Sequence, residues 1–532
     1  MESQPNILFI QVDQLTASSL SSYGSEVCHA PNLDRLANTG TVFETAYCNF
    51  PLCAPSRFSM AAGQLCSTIG AYDNAAEMPA SVPTYAHYLR AAGYQTALSG
   101  KMHFIGPDQY HGFEKRLTAD LYPADFSWVP NWGDEGKRDT NDDRSVLVSG
   151  VCERSVQIDF DEMVTANAIQ HLYDLARSND ERPFFLQVSY THPHEPYLCR
   201  KEYWDLYEDV DIPLPSVPAM SSNEHDVHSQ RLLSDFAMLD KRFSDEDIAR
   251  ARRAYYGSIS YIDAMVGRVL DVLAATGKAD KTAIVFTSDH GEMLGERGMW
   301  FKKHFFEPAL RIPLIMKVPG QAAKRVGTPV SLVDLLPTFM GLAQGSGWES
   351  GVEQLEGDDL TALATEADDL ARPVFAEYLA EATPSPILMI RKGDYKFIWS
   401  KDDPSLMFDL RTDPNECHNI TQDPKNADQV SDFMQMISDK WNYNDLKDKI
   451  VESQKRRRLI VDGYADGPRP RWNHSESASD RVIWYRGEGG YNEWAFSFLP
   501  VQIKDTTSCD AANRSKWADF VEKLMLDRGM NC

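Results

Sequence analysis

The feature that most constrains this chain is an apolar run at its start, Asn-Ile-Leu-Phe-Ile-Gln-Val (6–12), which stops abruptly at Asp13. A run this short and this continuously apolar predicts a strand buried on both faces, as strands are in parallel sheets covered by helices. Similar runs recur at 94–98, 184–189 and 283–286. Between them lie helix-like stretches at 84–92, 160–176 and 245–275. Alternation of this kind predicts an α/β fold, a large mostly parallel sheet sandwiched by helices. Such sheets bind ligands outside the carboxyl ends of their strands. Those ends carry Asp13 and Gln14, Lys101 and His103, His192 and His194, and Asp289 and His290. A polar loop after one strand is ordinary; four ends with ligand or acid–base residues predict a site.

The texture changes near residue 370. Short strand-like runs at 374–378, 388–391, 395–399 and 407–410 are joined by tight turns and followed by a helix-like stretch at 427–441. We therefore expect a catalytic domain over residues 1–370, a small antiparallel α+β subdomain over 371–450, and a C-terminal tail over 451–532 that packs on the body or on a second subunit. The tail is rich in charge and in aromatics, Trp472, Trp484, Trp494, Phe496 and Phe498 among them.

The formal net charge of -25 argues against nucleic acid as a partner, because phosphate contacts need a basic footprint. An anionic substrate would need local cations. Nine cysteines at irregular positions suit reduced thiols rather than a disulfide framework. With no basic-then-apolar leader and no run long enough to span a bilayer, the expectation is a cytoplasmic protein without membrane contact.

Cys53-Ala54-Pro55-Ser56-Arg57 opens a helix-like stretch at 54–62, where the helix dipole and free amides favour anions. Asp13 and Asp289 can each give a hard oxygen to a divalent cation, and Gln14 a neutral carbonyl oxygen. Alone, Asp289-His290-Gly291 would read as a turn; with Asp13 at a matching strand end it predicts half of a metal site. Arg57, Lys101 and Lys302 are the candidate local cations. His103 and His194 titrate near neutrality and suit acid–base work. His192 either joins them or only orients its neighbour.

These segments, in this order, resemble the type I sulfatases of the alkaline phosphatase superfamily. The carriers are Val12-Asp13-Gln14, the Cys53 motif, Gly100-Lys101-Met102-His103, Thr191-His192-Pro193-His194-Glu195-Pro196, Ser288-Asp289-His290-Gly291 and the stretch from Lys302 to Glu307. The resemblance implies that a formylglycine-generating enzyme transiently meets the chain and oxidises Cys53 to an aldehyde. One hydroxyl of the aldehyde hydrate would attack sulfur; the other would later expel sulfate. It implies a metal site of Asp13, Gln14, Cys53, Asp289 and His290. Arg57 would support the hydrate, Lys101 and Lys302 would contact sulfate, His103 would take a proton and His194 would give one to the leaving oxygen. Gln14 and His290 stand where arylsulfatases have Asp and Asn, as in the choline-sulfatase and phosphonate monoester hydrolase branches. Calcium is the expected ion, with manganese or magnesium as alternatives.

Four longer strings narrow the resemblance to the choline-sulfatase branch. They are Tyr72-Asp73-Asn74-Ala75-Ala76-Glu77, Gly106-Pro107-Asp108-Gln109, Leu121-Tyr122-Pro123-Ala124-Asp125-Phe126 and Arg297-Gly298-Met299-Trp300-Phe301-Lys302. The implied reaction is hydrolysis of an alkyl sulfate, choline sulfate, to alcohol and sulfate by a homo-oligomer. The alternatives are a phosphonate monoester or phosphodiester hydrolase and an unmatured relative that only binds ligand. A quaternary ammonium needs aromatic faces or a carboxylate. Trp128 and Glu381 are the candidates, with Asn74 as their neighbour.

Overall fold

In the structure, a computed structural model, residues 4–134, 142–464 and 467–474 are described. Trp484, Trp494, Phe496 and Phe498 lie outside the described residues.

Eight strands form the main sheet: β1 (Asn6–Asp13), β2 (Thr41–Phe43), β3 (Gln95–Gly100), β4 (Lys115–Arg116), β5 (Phe184–Pro193), β6 (Thr282–Ser288), β7 (Leu314–Lys317) and β8 (Lys324–Val326). Their order is β8-β2-β7-β6-β1-β5-β3-β4. The four strands foreseen from apolar runs, β1, β3, β5 and β6, are parallel neighbours at its centre. β7 runs antiparallel to β6 and to β2, so the sheet is mixed on that side. From Ile7 to Asp13 every residue of β1 is buried, as are all of β5 and β6. Burial on both faces is why these strands read as runs rather than alternations.

Three helices fix the surroundings of the strand ends. α1 (Cys53–Ala62) is buried along its whole length. α2 (Val156–Arg177) starts where the Ser155 hydroxyl accepts from the Ile158 amide at 3.1 Å. α3 (Asp245–Ala275) has the bounds read from the sequence; Ser244 caps the Asp247 amide at 3.1 Å, and three acids in the first turn suit the positive end of the dipole. On α3, the Tyr255 hydroxyl donates to the Gln14 carbonyl at 2.7 Å and so holds the turn after β1.

A separate four-stranded antiparallel sheet comes later in the chain: β9 (Val374–Tyr378), β10 (Ile387–Lys392), β11 (Tyr395–Trp399) and β12 (Leu406–Asp409). It is tied to the larger sheet's loops by the Glu377 amide on the Asn49 carbonyl, 2.9 Å, and by Lys396 Nζ on the Phe305 carbonyl, 2.8 Å. α4 (Ala427–Lys440) stacks Phe433 on Phe397 at 5.3 Å. α5 (Tyr443–Asp462) then runs straight through residue 450, where the sequence pattern suggests a domain boundary. Its buried face is Leu446, Ile450, Gln454 and Arg457, at helical spacing. Half of that face is polar, so hydropathy alone does not reveal it. Gln454 accepts from the Trp132 amide at 2.9 Å, and Arg457 pairs bidentately with buried Asp73 at 2.6 and 2.8 Å.

Burial lowers the imidazole of His171, on α2, to about 4. The unfolded chain takes up that proton near 6.5 and the folded chain only near 4, so this group's contribution to stability is lost as pH falls across that interval. Buried Glu377, raised to about 7 chiefly by desolvation, has the opposite sign, which makes total stability a poor readout. The sharper expectation is a difference: the advantage of the wild type over His171→Gln shrinks by roughly 2 kcal/mol between pH 7.5 and pH 5. Urea denaturation of both proteins at the two pH values measures it; a constant difference would contradict a neutral, buried His171.

Candidate active site

The carboxyl ends of β1 and β6 deliver Asp13 and the Asp289–His290 pair to one point, and the first turn of α1 delivers Cys53 to the same point. The ligand atoms of Asp13, Cys53, Asp289 and His290 all lie within 4.8 Å of one another, and all four residues are buried. Cys53 Sγ is 3.2 Å from His290 Nε2 and 3.8 Å from Asp13 Oδ1. The His290 Nδ1–H donates to the Gly291 carbonyl at 3.0 Å, which leaves the Nε2 lone pair facing the cluster. Two carboxylates, one imidazole nitrogen and the atom at position 53 make a donor set that fits a divalent cation.

Buried carboxylates need compensation, and Arg57 supplies it. Its Nε meets Asp289 Oδ2 at 2.8 Å and its Nη2 lies 3.5 Å from Asp13 Oδ2. The Lys101 carbonyl and the Ser189 hydroxyl fix the same guanidinium at 2.7 and 2.8 Å. Burial opposes the Arg57 charge, yet Asp289 and Asp13 hold its pKa above the ordinary value. Burial likewise works against the Asp13 anion, but Lys101, His194, Arg57 and His290 keep it well below the usual carboxylate range. Lys101 Nζ bonds Asp13 Oδ2 and sits 4.0 Å above the Tyr122 ring.

Gly100 explains how Lys101 reaches this place. Its φ is +110°, and a Cβ there would lie 1.8 Å from the Ser189 carbonyl oxygen, so only glycine fits between β3 and β5. Beyond it, Asp120 accepts from the Met102 and His103 amides at 2.9 and 2.7 Å. Gln14, His103, Phe301 and Lys303 all have left-handed backbone, φ 66°, 60°, 69° and 81°. Strain in non-glycine residues collects where side chains must be aimed.

Lys302, between Phe301 and Lys303, points its Nζ at Gln14 Oε1 and lies 2.8 Å from His194 Nε2. Burial opposes its charge, but Glu195 and the other anions around it hold its pKa above the ordinary lysine value. The His194 Nδ1–H donates to the Glu195 carbonyl at 2.7 Å, so Nε2 is the nitrogen turned toward Lys302 and the cluster. His192 turns elsewhere: its Nδ1 meets Asp161 Oδ2 on α2 at 2.7 Å, and its ring packs on Tyr261 at 5.2 Å. His103 stacks on Tyr122 at 4.7 Å and meets Trp128 edge-on at 5.7 Å.

The remaining candidates sit around this core. Asn74 Oδ1 accepts from the Ala54 amide at 3.0 Å and so caps the turn that begins at Cys53. Glu381 is buried, not solvated, and pairs with Lys303 at 3.1 Å. Several contributors are not singled out by the sequence: Tyr122, Asp161, and the buried acids Glu195 and Glu292. Glu195 and Glu292 both accept from Gln14 Nε2, at 2.6 Å for Glu195 Oε2. Burial and the Glu195 charge raise Glu292 to about 7.

A cation cluster ringed by lysines and histidines serves one chemistry well: the hydrolysis of an anionic ester, with charge neutralised at oxygen and protons moved by imidazole. The scaffold is the alkaline phosphatase-like one. A solved phosphonate monoester hydrolase from Silicibacter pomeroyi shares it with a TM-score of 0.68, at 24% identity over 82% of this chain and 94% of its own.

The chain belongs to the sulfatase family, which matches residues 5–346, and it is a sulfuric ester hydrolase. Residues 295–442 also match the C-terminal region described for N-sulphoglucosamine sulphohydrolase. The chain is 43% identical over 491 residues to the choline-sulfatase of Rhizobium meliloti (strain 1021), covering 90% of this chain and 96% of that one. It is 30% identical to an arylsulfatase of Clostridium perfringens (strain 13 / Type A) over 82% of this chain and 93% of that one.

Proposed function

We propose that the chain hydrolyses choline sulfate to choline and sulfate. The observation that carries this reading is the 43% identity to a choline-sulfatase across 90% of the chain. The site supports it chemically. Tyr122 and Trp128, ring centroids 5.6 Å apart, make an aromatic wall beside the lysines and the cation cluster, which suits a zwitterion with a sulfate at one end and a quaternary ammonium at the other.

Asp13, Gln14, Asp289, His290 and the side chain at position 53 would hold the cation, which supplies Lewis acidity and lowers the pKa of a bound hydroxyl. Calcium suits the hard oxygens, and the His290 imidazole keeps manganese and magnesium as alternatives. Position 53 would be formylglycine, formed by a generating enzyme that meets the chain transiently. Arg57 holds Asp13 and Asp289 in register. Lys101 and Lys302 neutralise the sulfate oxygens. His194, through Nε2, protonates the departing alcohol oxygen. His103, packed between Tyr122 and Trp128, takes the proton when sulfate leaves. Asn74 fixes the start of α1, and Trp128 and Glu381 bound the ammonium end.

Residues 1–370, 371–450 and 451–532 are proposed as catalytic domain, subdomain and tail. A reducing compartment such as the cytoplasm fits the free thiols, which include all seven cysteines among the described residues. No helix among the described residues is long and apolar enough to cross a membrane. A homo-oligomer is proposed as well; Leu459, 74% exposed on α5, is apolar surface that a second copy could cover.

The second reading, a phosphonate monoester or phosphodiester hydrolase, is favoured by the solved neighbour with that activity in its name. Rates on choline sulfate, its uncharged 3,3-dimethylbutyl analogue and a phosphodiester decide between the two. We expect choline sulfate to exceed the phosphodiester by roughly tenfold or more, about 1.4 kcal/mol in the barrier. Trp128→Ala should cost choline sulfate roughly tenfold more in kcat/KM than it costs the uncharged analogue. Equal rates on sulfate and phosphodiester would sink the assignment. The non-catalytic alternative gains only if the peptide around Cys53 has the mass of a plain thiol.

A further inference from the structure

The carboxamide of Gln14 has two faces of opposite chemistry, and only one of them can ligate a cation. Its oxygen is a ligand; its NH2 group is not. Something must hold the oxygen toward the cluster. Gln14 is fully buried, on a left-handed backbone with φ 66°. Its NH2 side is bracketed by two carboxylate oxygens, Glu195 Oε2 at 2.6 Å and Glu292 Oε2, from loops on different strands. Lys302 Nζ is a pure donor and meets the Gln14 oxygen, so the NH2 group is the end that faces Glu195 and Glu292. Lys302 on one side and two acceptor oxygens on the other therefore specify one orientation of one neutral amide.

Glu292 is itself immobilised. Its Oε1 accepts from the Leu294 amide at 2.8 Å and from the Phe301 amide at 2.6 Å, which turns Oε2 toward Gln14. Phe301 precedes Lys302, so the same carboxylate also anchors the turn that carries that lysine. Glu195 receives Gln14 on one side and lies 3.2 Å from His194 Nδ1 on the other.

We propose that Glu292 and Glu195 are positioning residues that lock the Gln14 amide with its oxygen toward the cation, making Gln14 a ligand by exclusion of the alternative rotamer. The proposal rests on the metal reading of the cluster. The choice matters because a neutral oxygen, unlike a third carboxylate, leaves more positive charge on the ion for an anionic ester to meet.

The test is cation affinity, read without turnover. The full chain is stripped of metal and titrated at pH 8, with Mn2+ by electron paramagnetic resonance and with Ca2+ by calorimetry. In Glu292→Gln the backbone amides of Leu294 and Phe301 keep the new carbonyl oxygen, so the new NH2 faces the NH2 of Gln14 and drives it to flip. We expect affinity to fall roughly 10–100-fold. Adding Gln14→Glu and Glu195→Gln to that variant supplies a side chain with oxygen at both ends and amide donors to meet it, and affinity should return to within about threefold of the parent. Glu195→Gln is the parallel single variant, with a loss in the same direction. Thermal unfolding of each metal-free variant establishes that it is folded. A folded single variant that binds within about twofold of the parent overturns the clamp, as does a triple variant no tighter than Glu292→Gln. A parent chain that binds neither ion overturns the metal reading and the clamp with it, whereas equal binding by parent and variants overturns the clamp alone.

Discussion

Cys53→Ala should abolish hydrolysis of choline sulfate, lowering kcat by roughly 10⁴-fold or more, the scale on which loss of a covalent nucleophile is felt. The expectation comes from the location of Cys53. Its Sγ is 3.2 Å from His290 Nε2, and the start of its helix is capped by Asn74 and packed among Asp13, Asp289 and His290. Among the described residues, Cys53 is the one cysteine in the cluster with Asp13, Asp289 and His290. Alanine at this site leaves Arg57, Asp13 and Asp289 in place, so the variant should fold with a Tm close to that of the parent. Retention of more than about a hundredth of the rate, in protein shown by mass to lack the modified residue, would mean that the chemistry runs through another group.

Arg57→Met should produce the largest loss of stability of any single change at the site, about 3–5 kcal/mol in the metal-free protein. A methionine fills much of the same volume but leaves Asp13 and Asp289 buried together without their shared guanidinium. A cation would restore part of what is lost, because it neutralises the same pair. Denaturant unfolding with and without millimolar Ca2+ should show a larger metal-induced gain in the variant than in the parent. Acid should act in the other direction. In the parent, Asp13 is held well below the usual carboxylate range, so its contribution is present above the unfolded value near 4 and is lost as pH falls toward the lower folded value. Without Arg57 the folded value rises toward the unfolded one, so that acid-driven loss should be smaller and complete at a higher pH. A variant as stable as the parent at pH 7 would refute this account of the core charge balance.

The parts legible in the sequence share a property: each is decided by its neighbours along the chain. β1, β5 and β6 announce themselves because both their faces are buried. α3 does so because its cap, acidic first turn and apolar stripe all fall in one stretch. The Cys53 motif, Asp13, Asp289, His290, Lys101, Lys302 and His194 converge as expected because strand ends of a parallel sheet point to one edge. The parts that stay hidden depend on distant partners. Glu195 and Glu292 lie within or beside recognisable motifs, but each is identifiable only through Gln14, 181 and 278 residues away in the chain. An acid after a histidine, or after His290-Gly291, looks like any loop acid until its burial is known. Glu381 is picked from the sequence as a carboxylate for an ammonium group, but its burial and its pairing with Lys303 are tertiary facts. The two-residue strand β4 and the half-polar face of α5 carry too little periodicity to be heard. His192 can be read either way, and its partner, Asp161 on α2, is a residue no local pattern connects to it.

Burial also constrains the order of events in the protein's making. Cys53 is only 2% exposed, Arg57 is 0% exposed, and Pro55 between them is buried as well. An enzyme that gripped this stretch to oxidise the cysteine could not reach it once the helix had settled against the sheet. Under the proposed function, such an oxidation would have to precede closure, on the nascent or still extended chain. Protein that folded first with an ordinary thiol would then keep it, and the competent fraction would be set during biosynthesis rather than afterwards.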